Sequence, residues 1–345
     1  MSFEELFYSL LIYGTTFGVS CGCAFLSKNK SIRWVFSALA VIVPSITAAF
    51  RESGIDYKSY MSMYRSIRSG QGYESIEPLW YLLNKIMPTY EWVLFISAVI
   101  FLGMAYYAMC KFVKEKRTLA WFIVLTVCYG TFYNGMRQMI AVSISFAAVA
   151  LFFEKKYIRG LLLIVLASLF HKSALFMLVI PIYLILSKKI KHIEWFVAAF
   201  TVFCIFGYPV VAAVLHRLGL YSSYTGEAGM NLSLGFVLYS FPPLIPFYLY
   251  RKHLKDNELL MLCYNMYLLI IPFQFLGMNI QYADRMMLYF QIFIVALVPL
   301  VAQEIANKLE KKNWGIIYTA WFIFHYVVLN VIMNGNEVYP YIVFD

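Results

Sequence analysis

The sequence predicts an all-α polytopic integral membrane protein, and three observations carry that prediction. Hydrophobic residues make up 62% of the 345 residues, whereas charged residues make up only 13%. The mean hydropathy is +0.71. Apolar blocks recur from one end of the chain to the other, with no polar stretch of domain size between them. We therefore expect one multi-pass transmembrane domain over residues 1–345.

About twelve apolar segments are candidates for transmembrane helices. The first has no basic region before it and no small-residue cleavage site after it, so we expect a retained helix rather than a signal peptide. The segments cover residues 6–26, 33–50, 91–110, 119–134, 137–153, 158–171, 173–187, 195–215, 235–250, 259–277, 286–306 and 314–333. The segment 158–171 would form a helix of about 21 Å, which is shorter than the roughly 30 Å hydrocarbon core.

The basic residues fall on every second loop. Nineteen of the 28 lysines and arginines lie in the loops 28–33, 111–117, 155–159, 188–191, 251–255 and 308–312. Short loops rich in basic residues stay on the cytoplasmic side, which predicts that both termini lie outside. The net charge of +10 is then a topology signal. It does not indicate nucleic-acid binding, because that function needs a basic patch on a water-exposed domain.

The longest outer loop covers residues 51–90 and is too polar to span a membrane. Part of it follows the i, i+3, i+4, i+7 spacing of one helix face, with Tyr57, Tyr60, Met61, Tyr64 and Ile67 on that face. One interpretation is an amphipathic helix that lies on the outer membrane surface. The other is a lid over a substrate, in which Tyr57, Tyr60 and Tyr64 stack on sugars.

Charged residues of the same loop have candidate roles in that second interpretation. Asp56 and Glu77 could act as acid or base, and Arg65 and Arg68 share a face next to the tyrosines. A second outer loop, residues 216–234, either tunes sugar choice or is a flexible connector that carries Arg217.

Polar residues interrupt the apolar segments in "GMRQM" and "LFHKSAL". Arg137 opens one segment from the outer side, and the chain then passes a basic loop and returns to His171 and Lys172. Arg137 and His171 should therefore lie at a similar depth on the same side. His171 could be a simple helix-end residue with a snorkelling Lys172. Alternatively, the pair forms one wall of an outward-facing polar cavity.

A third outer stretch, "GMNIQYADRMMLYF", carries Asp284 and Arg285 at the start of a segment. The two could form an ion pair that caps a helix, or Arg285 could join Arg137 in the predicted cavity. Several arginines in a low-dielectric space suit a phosphate or pyrophosphate, since a guanidinium donates in a planar fork matched to phosphate oxygens.

The order of short motifs along the chain resembles the EpsG-like group of bacterial Wzy-type polysaccharide polymerases. The motifs are "GIDY" at 54–57, "EPL" at 77–79, "NGMRQMIA" at 134–141, "FHKSAL" at 170–175 and "DRMMLYF" at 284–290. The resemblance implies a GT-C-like glycosyltransferase in the bacterial plasma membrane with its active site outside. Its substrate would be an oligosaccharide repeat unit on undecaprenyl pyrophosphate, which the enzyme would join into O-antigen or a related surface polysaccharide while undecaprenyl pyrophosphate leaves.

Such a reaction needs charge neutralisation on the pyrophosphate and removal of a proton from the attacking hydroxyl. Arg137 and Arg285 are the first candidates for the pyrophosphate, with Lys172, Arg65 and Arg68 in support. For the base, His171 ranks above Asp56 and Glu77, because imidazole exchanges protons near neutral pH whereas a carboxylate needs a raised pKa.

Cofactors and partners follow from the same reasoning. We expect a metal-independent reaction because the arginines supply positive charge, although Asp56 and Glu77 could hold Mg²⁺. Membrane lipids, a chain-length regulator and a flippase are candidate partners. Two other functions stay open: a lipid-linked oligosaccharide flippase or transporter, and a membrane O-acyltransferase that uses His171 as base on surface sugars.

Overall fold

The computed structural model describes residues 1–71, 76–189, 193–217, 236–237, 240–280 and 282–343. Within these ranges the regular elements are helices, which confirms the predicted all-α class. The one extended contact found there is an isolated antiparallel bridge between Arg51 and Val343. Most of the predicted loop 216–234 lies outside the described residues.

The described chain forms two compact units, and each is described by itself. The first unit contains Met1–Leu178 and Lys312–Asp345, and the second contains Val179–Lys311. The α-helices are, in chain order, α1 (Phe3–Leu26), α2 (Arg33–Ala49), α3 (Tyr57–Arg68), α4 (Pro78–Ile86), α5 (Tyr90–Phe112), α6 (Arg117–Ile123), α7 (Tyr129–Asn134), α8 (Met136–Phe153), α9 (Tyr157–Ser168), α10 (Ile180–Lys189), α11 (Ile193–Phe206), α12 (Tyr208–Arg217), α13 (Ile245–Leu249), α14 (Arg251–Leu254), α15 (Glu258–Leu268), α16 (Ile270–Gly277), α17 (Leu288–Gln291), α18 (Ile294–Leu309) and α19 (Trp314–Tyr326). The prediction of one transmembrane domain over residues 1–345 stays a prediction.

Several helical stretches are long and apolar enough to cross a membrane. Within the described ranges these are Phe3–Leu26, Tyr90–Phe112, Met136–Phe153, Glu258–Gly277, Ala283–Leu309 and Trp314–Ile332. A further pair, α11 and α12, would make one span that bends by 72°. Three more apolar helices are shorter: Arg33–Ala49, Tyr157–Ser168 and Lys172–Leu186. The chain is thus a multi-pass membrane protein, while the number of twelve spans and the GT-C likeness stay predictions.

Helix α8 lies at the centre of the first unit. It packs against α5 on one side and α9 on the other, and α5 continues the layer through α2 to α1. Nearly all of its residues are buried, because its sequence is apolar on every face and small at Ala141, Ser143, Ala147 and Ala150. Small side chains let neighbouring helices approach closely. The close packing of α5 and α9 on α8 therefore fixes the position of the first turn of α8.

The first unit has a basic end and an opposite end. We define the basic end by Lys28, Lys116 and Lys312, which line one cleft, and by Lys111, whose Nζ lies 2.9 Å from Oε1 of Glu154 just after α8. Arg137 lies in the first turn of α8. The length of this eighteen-residue helix separates it from the basic end, so Arg137 lies at the opposite end. The predicted alternation of loops is therefore present here, and the side of the membrane stays a prediction.

The second unit is built mainly from α11, α15, α16 and α18. Helix α11 packs against α16, and α15 packs against α18. A polar cluster joins three helices, since Nη2 of Arg251 lies 2.6 Å from Oε1 of Glu194 and the hydroxyl of Tyr264 donates to the same oxygen at 2.9 Å.

Candidate functional site at the opposite end of the first unit

Glu77 immediately precedes α4 and points away from it. Pro78 occupies the first helical position, where its missing N–H costs nothing. The Glu77 side chain makes no capping bond to its own helix. Instead, the backbone N–H of Leu79 donates to the carbonyl of Leu169 at 3.0 Å. This bond fixes the start of α4 against the end of α9, where the chain continues into His171.

The carboxylate of Glu77 joins the segment of Arg137 to the segment of His171 and Lys172. Its Oε2 accepts a hydrogen bond from Nη1 of Arg137 at 2.7 Å. Its Oε1 accepts from the backbone N–H of Lys172 at 3.2 Å and lies 3.1 Å from Nδ1 of His171. Arg137 and His171 therefore lie at one depth, as predicted, although Glu77 was predicted as an acid or base and not as the group between them.

Electrostatics keep Glu77 ionised. Only 4% of the residue is exposed, and this burial alone would raise the pKa. The hydrogen bond from His171 and the charge of Arg137 outweigh it and hold the pKa of Glu77 at about 2. An ionised carboxylate only accepts hydrogen bonds, so Nδ1 of His171 carries the proton of this contact. In the tautomer with this proton on Nδ1, the lone pair of the ring is on Nε2.

Arg137 and His171 each keep part of their side chain open. The side chains are 25% and 24% exposed respectively, against 5% for Glu77. Arg137 also interacts with Tyr60, and burial raises the pKa of the Tyr60 phenol although the Arg137 charge opposes the increase. The Tyr60 ring packs edge-on against Trp80, with the ring centroids 5.5 Å apart. The site thus combines a buried anion with an imidazole and a guanidinium that reach the surface.

Arg51 is a buried cation near this end, and the sequence did not predict a role for it in the site. It is 0% exposed, and its guanidinium lies 3.6 Å from the centroid of the Tyr133 ring. It donates to the carbonyl of Ser53 at 2.5 Å and to that of Tyr133 at 3.4 Å. Among the described residues no carboxylate forms an ion pair with it. Its position just after an apolar segment was the available signal, but sequence alone does not distinguish it from a surface arginine.

The predicted tyrosines have packing roles in this structure. Tyr57 and Tyr60 are buried, and the Tyr57 ring packs edge-on against Tyr90 with centroids 5.5 Å apart. Tyr64 is half-buried and donates to the carbonyl of Pro88 at 2.8 Å. The predicted amphipathic helix is therefore present as α3, and its aromatic face contacts protein. Sugar stacking by these rings stays a prediction.

The charged residues of α3 lie mainly on its exposed face. Arg65 and Arg68 are exposed, and Nη1 of Arg68 donates to the carbonyl of Lys85 at 2.8 Å. Asp56 is half-buried directly before the helix and makes no capping bond. In the described part of the chain, no hydrogen bond or ion pair joins Asp56 to Glu77 or His171. The Lys172 side chain is exposed, and its backbone is what contacts the carboxylate.

The comparison with protein families decides the identity of the chain. The profile of the EpsG family matches residues 34–343. The chain belongs to the EpsG family. This family consists of Wzy-like polysaccharide polymerases, so the resemblance of the short motifs is confirmed. No curated protein and no solved structure matches the chain.

In this EpsG-family chain, Arg285 and Asp284 belong to the second unit. They lie in a 3-10 turn, Ala283–Met287, that precedes α17. Arg285 is exposed and its guanidinium lies 4.4 Å from the centroid of the Tyr282 ring. Asp284 packs so closely on Gly277 that a Cβ there would overlap its backbone. The predicted convergence of Arg285 with Arg137 stays a prediction.

Metal binding was the remaining question for the site. Within the described ranges, no group of three or more His, Cys, Asp or Glu side chains could hold a metal ion. Glu77 already uses both carboxylate oxygens for Arg137, His171 and Lys172. The expected metal independence stays a prediction.

Proposed function

We propose that this protein joins oligosaccharide repeat units carried on undecaprenyl pyrophosphate into O-antigen or a related surface polysaccharide at the outer face of the bacterial plasma membrane. The observation that supports this function best is the buried Glu77 carboxylate, which holds His171 and Arg137 on either side. A base and a cation in one place are the two groups that glycosyl transfer from a pyrophosphate requires.

His171 is the proposed base. A hydroxyl at the non-reducing end of one unit attacks the anomeric carbon of the growing chain, and its proton passes to Nε2 of His171. The new carbon–oxygen bond forms as the bond from the anomeric carbon to the pyrophosphate oxygen breaks. The ionised Glu77, 3.1 Å from Nδ1, orients the ring and stabilises the imidazolium that results.

Arg137 is the proposed electrophilic partner. Its Nη1 is used by Glu77, and its partly exposed guanidinium still offers N–H groups to the pyrophosphate, which leaves with the bonding electrons. Fixed N–H donors stabilise such charge without reorganisation during the reaction. Glu77 itself is a weak base because its pKa lies at about 2, so its proposed role is to position the other two groups.

The experiment that tests this function is a gel of surface polysaccharide from the native host with and without this gene. We expect the ladder of repeat lengths to collapse to a single repeat unit that still reaches the surface. Loss of the single unit as well would favour the flippase or transporter. An unchanged ladder with a loss of acetyl or other acyl groups would favour the membrane O-acyltransferase.

A further inference from the structure

A cleft at the basic end of the first unit is not used by the proposed chemistry. It lies between the end of α1, the start of α6 and the start of α19, and it has a volume of about 480 Å³. This volume lies within the roughly 300–1,000 Å³ range of ligand pockets. Lysines from three separate segments line the cleft, namely Lys28, Lys116 and Lys312.

In each of the three segments, a lysine lies three or four residues from an apolar side chain that also lines the cleft. Helix α1 reaches the cleft with Phe25 one turn before Lys28. Helix α6 follows Lys116 with Leu119 and Phe122, and α19 follows Lys312 with Ile316. Since a helix advances about 5.4 Å per turn, each lysine lies at the mouth and each apolar group lies one or two turns deeper. The cleft is therefore cationic at its mouth and apolar along its length.

Details of the lining fit a ligand with a charged head. Three lysines face one acidic residue, Glu115, so the mouth keeps an excess of positive charge. The hydroxyl of Thr118 is buried there, and no residue in the described ranges forms a hydrogen bond with it. Gly315 lies close to the cationic group, since a Cβ at that position would be in van der Waals contact with Nζ of Lys116 at 3.8 Å, so a longer side chain there would project into the cleft. An anionic oxygen would accept hydrogen bonds from the lysines and from this hydroxyl.

The cleft also opens sideways onto an apolar surface. Phe25 is 57% exposed and Ile316 is 73% exposed, although both belong to helices that are apolar and long enough to cross a membrane. Such side chains face lipid rather than water in a membrane protein. A ligand that enters from this side must itself have an apolar part.

We propose that this cleft binds an anionic phospholipid, with the phosphate headgroup on Lys28, Lys116 and Lys312 and the first part of an acyl chain along Phe25, Leu119 and Ile316. Basic pockets between membrane helices bind such headgroups through the same combination of charge and apolar contact. The binding depends neither on the proposed polymerase chemistry nor on which side of the membrane the basic end faces.

The test is a titration of the purified full-length protein with dioleoyl phosphatidylglycerol, followed by native mass spectrometry, with dioleoyl phosphatidylcholine in a parallel titration. The wild type should bind phosphatidylglycerol more tightly than phosphatidylcholine. The triple variant Lys28→Gln, Lys116→Gln, Lys312→Gln should lose about 100-fold in affinity for phosphatidylglycerol, since each lysine near an anionic lipid contributes about fivefold.

A matched control carries the same change of charge at the same end. Lys30, Lys114 and Lys155 are exposed and do not line the cleft, so the triple variant with glutamine at these positions should bind within about threefold of the wild type. Gly315→Leu fills the cleft without a change of charge and should also weaken binding at least tenfold. If the cleft triple variant fails to fold, Gly315→Leu tests whether the lipid binds in the cleft.

Three results would overturn the proposal. Equal loss in the two triple variants would mean diffuse surface electrostatics and no site. Undiminished binding by Gly315→Leu would place the lipid elsewhere. Full competition by millimolar inorganic phosphate would mean a site for a free anion, because a lipid held by both its headgroup and its acyl chain resists displacement by phosphate alone.

Discussion

Glu77 sets what its two neighbours can do. Its carboxylate fixes the ring of His171 through Nδ1 and fixes one N–H of Arg137, and only 4% of Glu77 is exposed. Removal of this carboxylate would therefore take a hydrogen-bond partner from both Arg137 and His171. Substitutions at these residues therefore have to be read for both activity and folding.

Substitution of His171 distinguishes a base from a hydrogen-bond donor. We expect His171→Ala and His171→Gln each to lower the rate of polymerisation by about 10²–10⁴-fold, because neither side chain can take up the hydroxyl proton. The measurement is the polysaccharide ladder at matched protein level. Substantial activity in His171→Gln alone would show that donation of a hydrogen bond suffices. Full activity in both would leave Asp56 as the candidate base, because the low pKa of Glu77 makes it a weak base.

The pKa of Glu77 predicts how stability depends on pH. Its folded-state value of about 2 lies below the ordinary 4.5, so its contribution is complete above pH 4.5 and is lost as the pH falls through about 2. We expect Glu77→Gln to lower the free energy of unfolding by about 1–3 kcal/mol at neutral pH, less than for a fully buried pair because its partners are partly exposed. The gap in Tm between wild type and variant should narrow between pH 4.5 and 2. A Tm difference that stays constant between pH 4.5 and 2 would contradict the low pKa of Glu77.

The C-terminal segment closes over the opposite end of the first unit. The backbone N–H of Tyr341 donates to Oγ of Ser9 at 2.8 Å, and the Tyr341 hydroxyl donates to the carbonyl of Thr47 at 2.9 Å. The N–H of Glu52 donates to the carbonyl of Ile342 at 2.8 Å, next to the buried Arg51. This segment therefore ties α1 and α2 together beside the Arg51 guanidinium.

Arg51 should be important for folding. Arg51→Met would leave the carbonyls of Ser53 and Tyr133 without a donor, and we expect a loss of about 2–4 kcal/mol in the free energy of unfolding. Thermal unfolding of the purified variant measures this loss. Lys58→Met is the matched control, because Lys58 is exposed and the charge change is the same. Equal Tm values for the two variants would contradict the role of Arg51.

The elements show what sequence could predict and what it could not. The spacing of Tyr57, Tyr60 and Ile67 predicted the helix α3, but the expected neighbours of this face were the membrane surface or a sugar, whereas Tyr57 and Tyr60 pack on Tyr90 and Trp80. The similar depth of Arg137 and His171 was predicted because the chain leaves from Arg137 through α8 and returns to His171 through α9. The Glu77 bridge did not follow, since it depends on the direction in which α4 leaves a loop, and no local pattern encodes that direction.

Two arginines are proposed to bind the pyrophosphate, and the structure describes each in its own unit. Arg137 belongs to the first unit and Arg285 to the second. If both bind the pyrophosphate, Arg137→Ala and Arg285→Ala should each lower polymerisation about 10²–10³-fold. Arg285→Ala should leave the protein level intact, because Arg285 is exposed. A normal ladder from Arg285→Ala would remove this residue from the proposed pyrophosphate-binding groups.

Charge correctly predicted which loops of the first unit lie together, whereas the side of the membrane on which they lie stays a prediction. The loops of Lys28, Lys111 and Lys116 lie together at the basic end, as the alternation of basic loops indicated. The number of spans was harder to predict. The apolar segment 119–134 contains a π-helical turn at Val124–Cys128, and α11 and α12 bend sharply at Gly207, so apolar length does not map directly onto straight spans.

The most direct test of the central claim uses the purified protein in lipid with an undecaprenyl-pyrophosphate-linked repeat unit. Polymer length and released undecaprenyl pyrophosphate would be measured together for the wild type and for His171→Ala. We predict one undecaprenyl pyrophosphate released for each new linkage by the wild type, and formation of both products about 10²–10⁴-fold more slowly by folded His171→Ala. Polymer and lipid release by His171→Ala at the wild-type rate would contradict the claim that the Glu77–His171–Arg137 site performs the reaction.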